Sequence, residues 1–229
     1  MNDEPYRFEY KYVISAQSAE LLKHTLRALL TKDEHADEDG NYLIRSVYFD
    51  DDRLSAYHDK LAGVCDRNKY RLRFYNFNAE RIAFEAKRKH GQLVKKQSCV
   101  VSRDLAQRML SGGSLTPQER QEPLLAEFDT LSACANLQPS VVVDYLRTAF
   151  TYPVNRVRIT LDQDVCSDQY RADRVFERCA SIPVMDHGDV ILEVKYSEWL
   201  PPFLAQALSN TPSILQANSK YCSCLSVYL

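Results

Sequence analysis

The chain has 229 residues, of which 45 % are apolar and 26 % charged, and its formal net charge is −2. That length gives one large or two small domains with room for a real core, and the composition is ordinary for a soluble globular protein. The charge balance excludes a binder of nucleic acid or anionic membrane that relies on global charge; any anion site must come from local segregation of lysine and arginine.

The first element is YRFEYKYVIS, residues 6–15. Tyr6, Phe8, Tyr10 and Tyr12 alternate with Arg7, Glu9, Lys11 and Val13, so a strand here has one aromatic and one charged face. Ser15 is placed to cap a helix over 16–31, with Leu22, Leu26, Leu29 and Leu30 as its apolar stripe. KDEHADEDGN reads as a polar loop, YLIRSVYFD from Tyr42 as a strand, and 54–61 as a short helix. KYRLRFYNF (69–77), RIAFEAKRK (81–89) and QLVKKQSCVVS (92–102) are three strands in succession, with turns at Asn78 and at His90-Gly91.

Residues 103–137 read as helical, broken at SGGSLTP. VVVDYLRTAFTY and NRVRITLDQDV form a hairpin turning at Pro153-Val154-Asn155, and VILEVKYSEWL is a late strand. PPFLAQAL opens a helix with prolines in its first turn, and SKYCSCLSVYL follows. With no repeat or obvious linker, residues 1–229 read as one α+β domain dominated by antiparallel strands.

Cys65, Cys99, Cys134, Cys166, Cys179, Cys222 and Cys224 are scattered, odd in number and form no CxxC. With an acidic MNDEPYRF start that lacks a leader, they suggest reduced thiols in a cytoplasmic protein. No Cys or His pair has zinc-ligand spacing. The histidines at 24, 35, 58, 90 and 187 suit surface or packing roles, and no apolar run reaches the roughly 18 residues of a membrane span.

The charged alternation recurs. Arg71 and Arg73 oppose Tyr70, Leu72 and Phe74. Glu85, Lys87 and Lys89 oppose Phe84 and Ala86, with Arg88 breaking the apolar side. Arg156, Arg158, Thr160 and Asp162 oppose Val157, Ile159 and Leu161. Glu193 and Lys195 oppose Leu192, Val194 and Tyr196. A half-buried strand normally turns its polar face to water, and Glu85–Lys87 or Glu193–Lys195 would serve as structural ion pairs. Five strands with Arg, Lys and Glu at their centres are better explained by an antiparallel β-barrel with the charged face inward and helices over the apolar face. Its interior would be a cationic tunnel with a few carboxylates. That suits a polyanion and a divalent metal: guanidinium forks and ammonium groups hold phosphate, and carboxylates hold Mg²⁺ or Mn²⁺. GxxxxGK[ST], GxGxxG and the kinase motifs are absent, so side chains must hold the phosphates.

R-x-E-x-K, SVYFD, R-x-R, FEAKRK with VKKQ, VRITLD, LEVK and a late SKY, in that order from Tyr6 to Tyr221, resemble the VTC domain. This is the polyphosphate polymerase domain of the vacuolar transporter chaperone, within the triphosphate tunnel metalloenzymes and related to the CYTH enzymes. The resemblance implies an eight-stranded antiparallel tunnel that binds ATP, polyphosphate, pyrophosphate or triphosphate. In the polymerase members the terminal phosphate of ATP passes to a growing polyphosphate chain, with Mn²⁺ favoured.

Carried across, the resemblance puts Lys11, Arg71, Arg73, Lys87, either Lys96 or Lys95, Tyr145, Arg147, Arg158, Ser219 and Lys220 on phosphate and Glu193 on the metal. Glu85 and Glu9 are further metal candidates, and Lys89, Arg156 and Lys195 further phosphate candidates. Lys11, Arg71, Arg73, Lys87, Lys96 and Arg158 are the expected catalytic set. Tyr145 is also plausible as a packing residue, and Arg156 as a surface residue at a strand start. Tyr48, Phe49 and Trp199 are assigned to the core or to helix packing. CYTH relatives open with E-x-E-x-K; Arg7 replaces the first acid here, which leans toward the VTC branch. The SPX domain and membrane helices of the yeast-type complex are missing, which suggests a free-standing domain; a membrane partner for export is not demanded. Polymerase, triphosphatase and binding module all remain open, because the acceptor is chosen by geometry and water access.

Overall fold

The computed structural model describes residues 2–3, 5–33, 36–37, 40–171, 173–178, 180–216 and 218–229. Cys179 and four residues of the KDEHADEDGN loop, His35 among them, lie outside the described residues. Eight long strands carry the architecture: β1 (Arg7–Ser15), β2 (Asn41–Asp50), β3 (Asp66–Tyr75), β4 (Asn78–His90), β5 (Leu93–Val101), β6 (Gln138–Tyr152), β7 (Val157–Gln169) and β8 (Asp189–Tyr196).

Every strand pairs antiparallel with its neighbours in the order β5-β4-β3-β2-β6-β7-β8-β1, and β1 returns to β5 through Arg7↔Val94 and Phe8↔Leu93. The strands therefore close into a ring. Two-residue strands extend its edges: Asn2–Asp3 on β5, Thr31–Lys32 on β6, Ile182–Pro183 on β7 and Ile214–Leu215 on β1.

The turns fall where the backbone permits positive φ. The β3–β4 hairpin turns on Asn76 and Phe77, at φ 49° and 55°, in the expected stretch around Asn78. A type I′ hairpin turn has φ > 0 at both central positions; Asn accepts this readily, whereas Phe does so rarely. The Arg45 guanidinium lies 4.7 Å from the Phe77 ring centroid. Arg45 itself is buried, gripping Asp144 through Nε (2.9 Å) and Nη2 (2.6 Å) while Nη1 donates to the Val175 carbonyl. It faces outward and pins the β7–β8 connection to the ring.

Among the described residues, six α-helices accompany the strands: α1 (Ala16–Leu29), α2 (Ser55–Leu61), α3 (Arg103–Leu110), α4 (Pro123–Ala135), α5 (Pro202–Ser209) and α6 (Lys220–Leu225). Ser15 caps α1 by accepting the Ser18 N–H at 3.1 Å. The outward residues of β2–β5, including Phe49, Leu72 and Phe84, pack with Met109 of α3 and Phe128 of α4. Each such fully buried side chain contributes roughly 1.5–3 kcal/mol. A second cluster places Ile14, Phe150, Ile159, Leu161 and Val194 with Leu22 and Leu26 of α1 and Leu204 of α5.

Some outer-face expectations change. Leu29 is exposed, and so are Trp199 and Tyr6. Phe8 and Tyr10 are only half-buried, stacking on each other and on Tyr196. On β1 it is Ile14, near α1, that is fully buried. A third cluster lies inside the ring, where Tyr221, Cys222, Cys224 and Leu225 of α6 meet Tyr48, Val141, Val143 and Val165. So α6 fills one side of the interior and leaves the rest as a cavity. Among the described residues, no helix is long and apolar enough to cross a membrane.

Candidate functional site

Strand alternation builds the cavity. Along β3, Arg67, Lys69, Arg71, Arg73 and Tyr75 are spaced two residues apart, and all five line an interior space of about 760 Å³. Eight residues at about 3.3 Å per residue make that row roughly 26 Å long. Fourteen lysines and arginines line the space, against two glutamates. A chain of net charge −2 has therefore concentrated its cations inward.

Carboxylates sit at the centre of this field. Glu9 lies 2.6 Å from Lys87 and 3.5 Å from Lys11. Glu193 contacts Lys195 at 2.7 Å, Lys220 at 3.0 Å, Lys11 at 3.3 Å and Arg147 at 3.6 Å. Glu85 accepts from Arg71 Nε at 2.8 Å and lies 3.2 Å from Arg73 and 3.6 Å from Lys96. Arg147 clasps Asp162 with both prongs of its guanidinium, at 2.6 and 2.7 Å, and Lys220 lies 2.5 Å from the same carboxylate. Glu85, Asp162 and Glu193 are buried, and the Glu9 side chain is 6 % exposed.

Burial pushes the Glu193 carboxyl up, but Lys11, Lys195, Lys220 and Arg147 outweigh it and hold it well below the usual range. Glu9 is likewise lowered, burial being overcome by Lys87, Lys195 and Lys11. The lysines divide into two groups. Burial opposes the charge on Lys220, yet Asp162 and Glu193 raise its pKa. Lys11 is raised in the same way by Glu193 and Glu9, whereas burial dominates at three others, bringing Lys195 down to about 7 and Lys87 and Lys69 down to about 8. The cavity thus holds more cationic groups than its acids can neutralise.

Of the residues singled out from sequence, Lys11, Arg71, Arg73, Lys87, Lys89, Lys96, Tyr145, Arg147, Arg158, Lys195, Ser219, Lys220, Glu9 and Glu193 line the cavity; Glu85 lies buried beneath Arg71 and Arg73. Two do not reach it. Lys95 is one residue out of phase with Lys96 and sits 6.0 Å from the Tyr6 ring on the outer face. Arg156 stands in the β6–β7 turn at φ 48° and is exposed, because regular alternation begins only with Val157. Tyr145 is both packed and lining: Lys220 and Arg147 sit 4.8 and 5.2 Å from its ring centroid.

Other lining residues were not singled out. Lys69 donates to Ser219 Oγ at 2.9 Å and sits 4.7 Å from the Tyr221 ring centroid. Tyr48, assigned to packing, also faces the cavity, and its hydroxyl accepts from Arg71 Nη1 at 2.8 Å. The Tyr42 hydroxyl accepts from Arg158 at 2.7 Å, and Arg158 pairs with Asp33 at 2.6 Å. Extending the Arg71–Arg73 alternation back to Lys69 and Arg67 would have found two of these residues. The Arg73 Nε is buried without a hydrogen-bond partner among the described residues.

A metal held by protein alone does not fit: among the described residues no cluster of three or more acidic, Cys or His side chains is arranged for one. Glu9 and Glu193 face inward on neighbouring strands and share Lys11 and Lys195 as partners. That donor set fits Mg²⁺ or Mn²⁺ bound by one or two carboxylates together with substrate phosphates.

A closed antiparallel ring whose interior gathers lysines and arginines around a few carboxylates defines a class of fold with a cationic central cavity. The VTC domain family model matches residues 6–229, so the chain belongs to the VTC domain family. Among solved structures, a putative adenylate cyclase from Bacillus halodurans is 16% identical, with a TM-score of 0.48 over 85% of this chain and 82% of that one. PH1012 protein from Pyrococcus horikoshii OT3 is 14% identical, with a TM-score of 0.49 over 96% and 99%. The Mimivirus capping enzyme triphosphatase is 12% identical, with a TM-score of 0.39 over 90% and 88%. With TM-scores below 0.5, none of the three adds to what the family and the geometry give. No curated protein matches.

Proposed function

We propose that this chain, as one VTC-type domain over residues 1–229, transfers the terminal phosphate of ATP to a growing polyphosphate chain inside its cavity. The observation that carries this reading is the central network in which Arg71, Arg73, Lys87, Arg147 and Lys220 surround Glu9, Glu85, Asp162 and Glu193. Phosphoryl transfer needs little covalent help; it needs alignment and neutralisation of charge on phosphate oxygens.

Arg71 and Arg73, on alternate positions of β3, are spaced to hold successive phosphates with charge-assisted hydrogen bonds. Arg147, Arg158 and Lys220 approach from the opposite wall. Lys11 and Lys96 orient the acceptor phosphate. Glu193 with Glu9 would hold Mg²⁺ or Mn²⁺, which when bound supplies charge neutralisation at phosphate oxygens. The burial of these groups excludes bulk water from the centre and strengthens each interaction.

Incubation with ATP and Mn²⁺ or Mg²⁺ tests the reading. Long-chain polyphosphate with stoichiometric ADP supports it. Free phosphate without polymer would make the chain a triphosphatase, and binding of triphosphate without turnover would make it a binding module.

A further inference from the structure

The acids among the cavity cations are not equivalent. Glu9 and Glu193 line the cavity, whereas Glu85 and Asp162 do not; they lie beneath its lining, 3 % and 0 % exposed. β4, which carries Glu85, and β7, which carries Asp162, are four strands apart in either direction round the ring, so the two acids sit under opposite walls.

Both walls repeat one arrangement. Glu85 is directly opposite Arg71 in the β3–β4 ladder, and Asp162 is directly opposite Arg147 in the β6–β7 ladder. Each acid accepts from the Nε of its arginine, at 2.8 Å and 2.6 Å. Each also holds a second cation: Arg73 Nη2 is 3.2 Å from Glu85, and Lys220 Nζ is 2.5 Å from Asp162. Arg71, Arg73, Arg147 and Lys220 all line the cavity. Burial opposes the charge on both acids, yet Arg71 and Lys96 hold the Glu85 carboxyl low, and Arg147 and Lys220 hold that of Asp162 low. Both therefore stay ionised at neutral pH, as pure acceptors.

A guanidinium is a rigid planar fork, so an acceptor at Nε fixes the direction of its remaining donors. Arg71 turns Nη1 to Tyr48, and in Arg147 Nη1 takes no part in the clasp on Asp162. Glu9 and Glu193 have different partners. Among the described residues, the cations around Glu9 are Lys87, Lys11 and Lys195, and those nearest Glu193 are Lys195, Lys220 and Lys11, with Arg147 more distant. A lysine ammonium on its flexible stem can swing aside for a divalent cation, whereas a two-pronged arginine clasp must break both bonds.

Building on the reading of the cavity as a phosphate site, we infer that Glu85 and Asp162 are positioning residues and not metal ligands. Glu85 aims Arg71 and Arg73 from beneath one wall, and Asp162 aims Arg147 and Lys220 from beneath the other. Cations alone would attract an anion; the two acids under them decide where its oxygens settle.

Charge and positioning predict opposite signs for one substitution. Glu85→Gln and Asp162→Asn each remove a negative charge from beside the site, which by charge alone tightens anion binding, whereas loss of positioning weakens it. Calorimetry of tripolyphosphate on the full chain, with and without Mn²⁺, reads both. Each variant is expected to bind metal-free tripolyphosphate roughly fivefold or more weakly than wild type, the scale of one misdirected hydrogen bond to a charged group. The factor by which Mn²⁺ changes that affinity is expected to match wild type, while Glu193→Gln loses the Mn²⁺ effect and keeps metal-free binding. Metal-free affinity equal to wild type or tighter, or loss of the Mn²⁺ effect, in either variant would overturn the assignment of that residue. Circular dichroism and thermal melting identify a variant that has not folded. Glu85→Asp or Asp162→Glu then replaces it, keeping the charge and displacing the carboxylate by one methylene, under the same criteria. A wild-type chain that does not bind tripolyphosphate would overturn the phosphate-site reading and this assignment together, whereas the variant results bear on the assignment alone.

Discussion

Lys11 and Glu193 stand directly opposite each other in the β1–β8 ladder, and the ammonium lies 3.3 Å from the carboxylate. Lys11 also donates to the Asn218 carbonyl at 3.2 Å, in the segment leading into α6. One lysine thus joins the first strand, the last long strand and the helix that fills the ring. Charge placement in the cavity and closure of the fold are the same set of contacts.

Removing Glu193 is expected to separate catalysis from anion binding. Glu193→Gln should abolish metal-dependent turnover of ATP while metal-free tripolyphosphate binding persists or tightens, since a negative charge leaves the cavity. Glu193→Ala should also lower stability, because breaking a buried ion pair costs about 3–5 kcal/mol. Retained metal-dependent turnover in Glu193→Gln would remove Glu193 from the metal site.

Arg71 and Lys96 should matter where their neighbours Lys95 and Arg156 do not. Arg71→Ala is expected to lower tripolyphosphate affinity roughly 10- to 100-fold, the equivalent of about 1.5–3 kcal/mol for a hydrogen bond to a charged group. Lys96→Ala should weaken binding in the same direction. Lys95→Ala and Arg156→Ala should leave it within about twofold, since both side chains lie off the cavity. Titrations of the four variants side by side check this, and an effect of Lys95→Ala equal to that of Lys96→Ala would mean the inward face has been misassigned.

Polyanion binding should take up protons. Lys69 has its pKa lowered to about 8, mainly by burial. A bound anion favours the ammonium form, so affinity is greatest below pH 8 and falls as pH rises through it. Calorimetry in buffers of different ionisation enthalpy reads the uptake directly, and Lys69→Met should reduce it. Without ligand the sign reverses. Between the folded value near 8 and the unfolded value near 10.5 the unfolded chain binds more protons, so Lys69 makes stability rise with pH across that window. A melting temperature that falls between pH 8 and 10 in wild type, but not in Lys69→Met, would contradict this.

Salt should weaken binding of long-chain polyphosphate more than binding of ATP. Lys60, Arg67 and Lys89 line one end of the cavity, are partly exposed and, among the described residues, lie within ion-pair distance of no carboxylate, so screening acts more fully there, whereas the central groups are more deeply buried. Affinities at about 0.05 M and 0.5 M NaCl, the Debye length shrinking several-fold between them, give the two slopes. Parallel slopes would argue against this division.

The inward face was legible because strand period leaves an unambiguous record. Arg71 with Arg73, and Glu193 with Lys195, keep their spacing in the sequence and share a face in the structure. Lys95 and Lys96 are adjacent, so alternation says that one faces inward without saying which; only the β4–β5 register decides. Arg156 continues the numerical pattern of Arg158 but stands in a turn whose positive φ no hydropathy pattern records. Tyr42, Tyr48 and Tyr75 went unread as lining residues because tyrosine counts equally as core or as polar wall. The α6 helix has six residues, too few for periodicity to show. Leu29 and Trp199 were placed by their hydrophobicity alone, and both are exposed in the structure.

Ring closure also sets an order of events. β1 is made first, yet its partner β8 begins at Asp189 and its edge strand Ile214–Leu215 comes later still. While the intervening residues are being synthesised, β1 has only β5 available, through two pairs. Contacts of such long sequence separation form slowly because the loop entropy is spent before they form. Glu9 can meet Lys87 of β4 early, but Lys11 with Glu193 and Glu9 with Lys195 are contacts that exist only once β8 has joined β1.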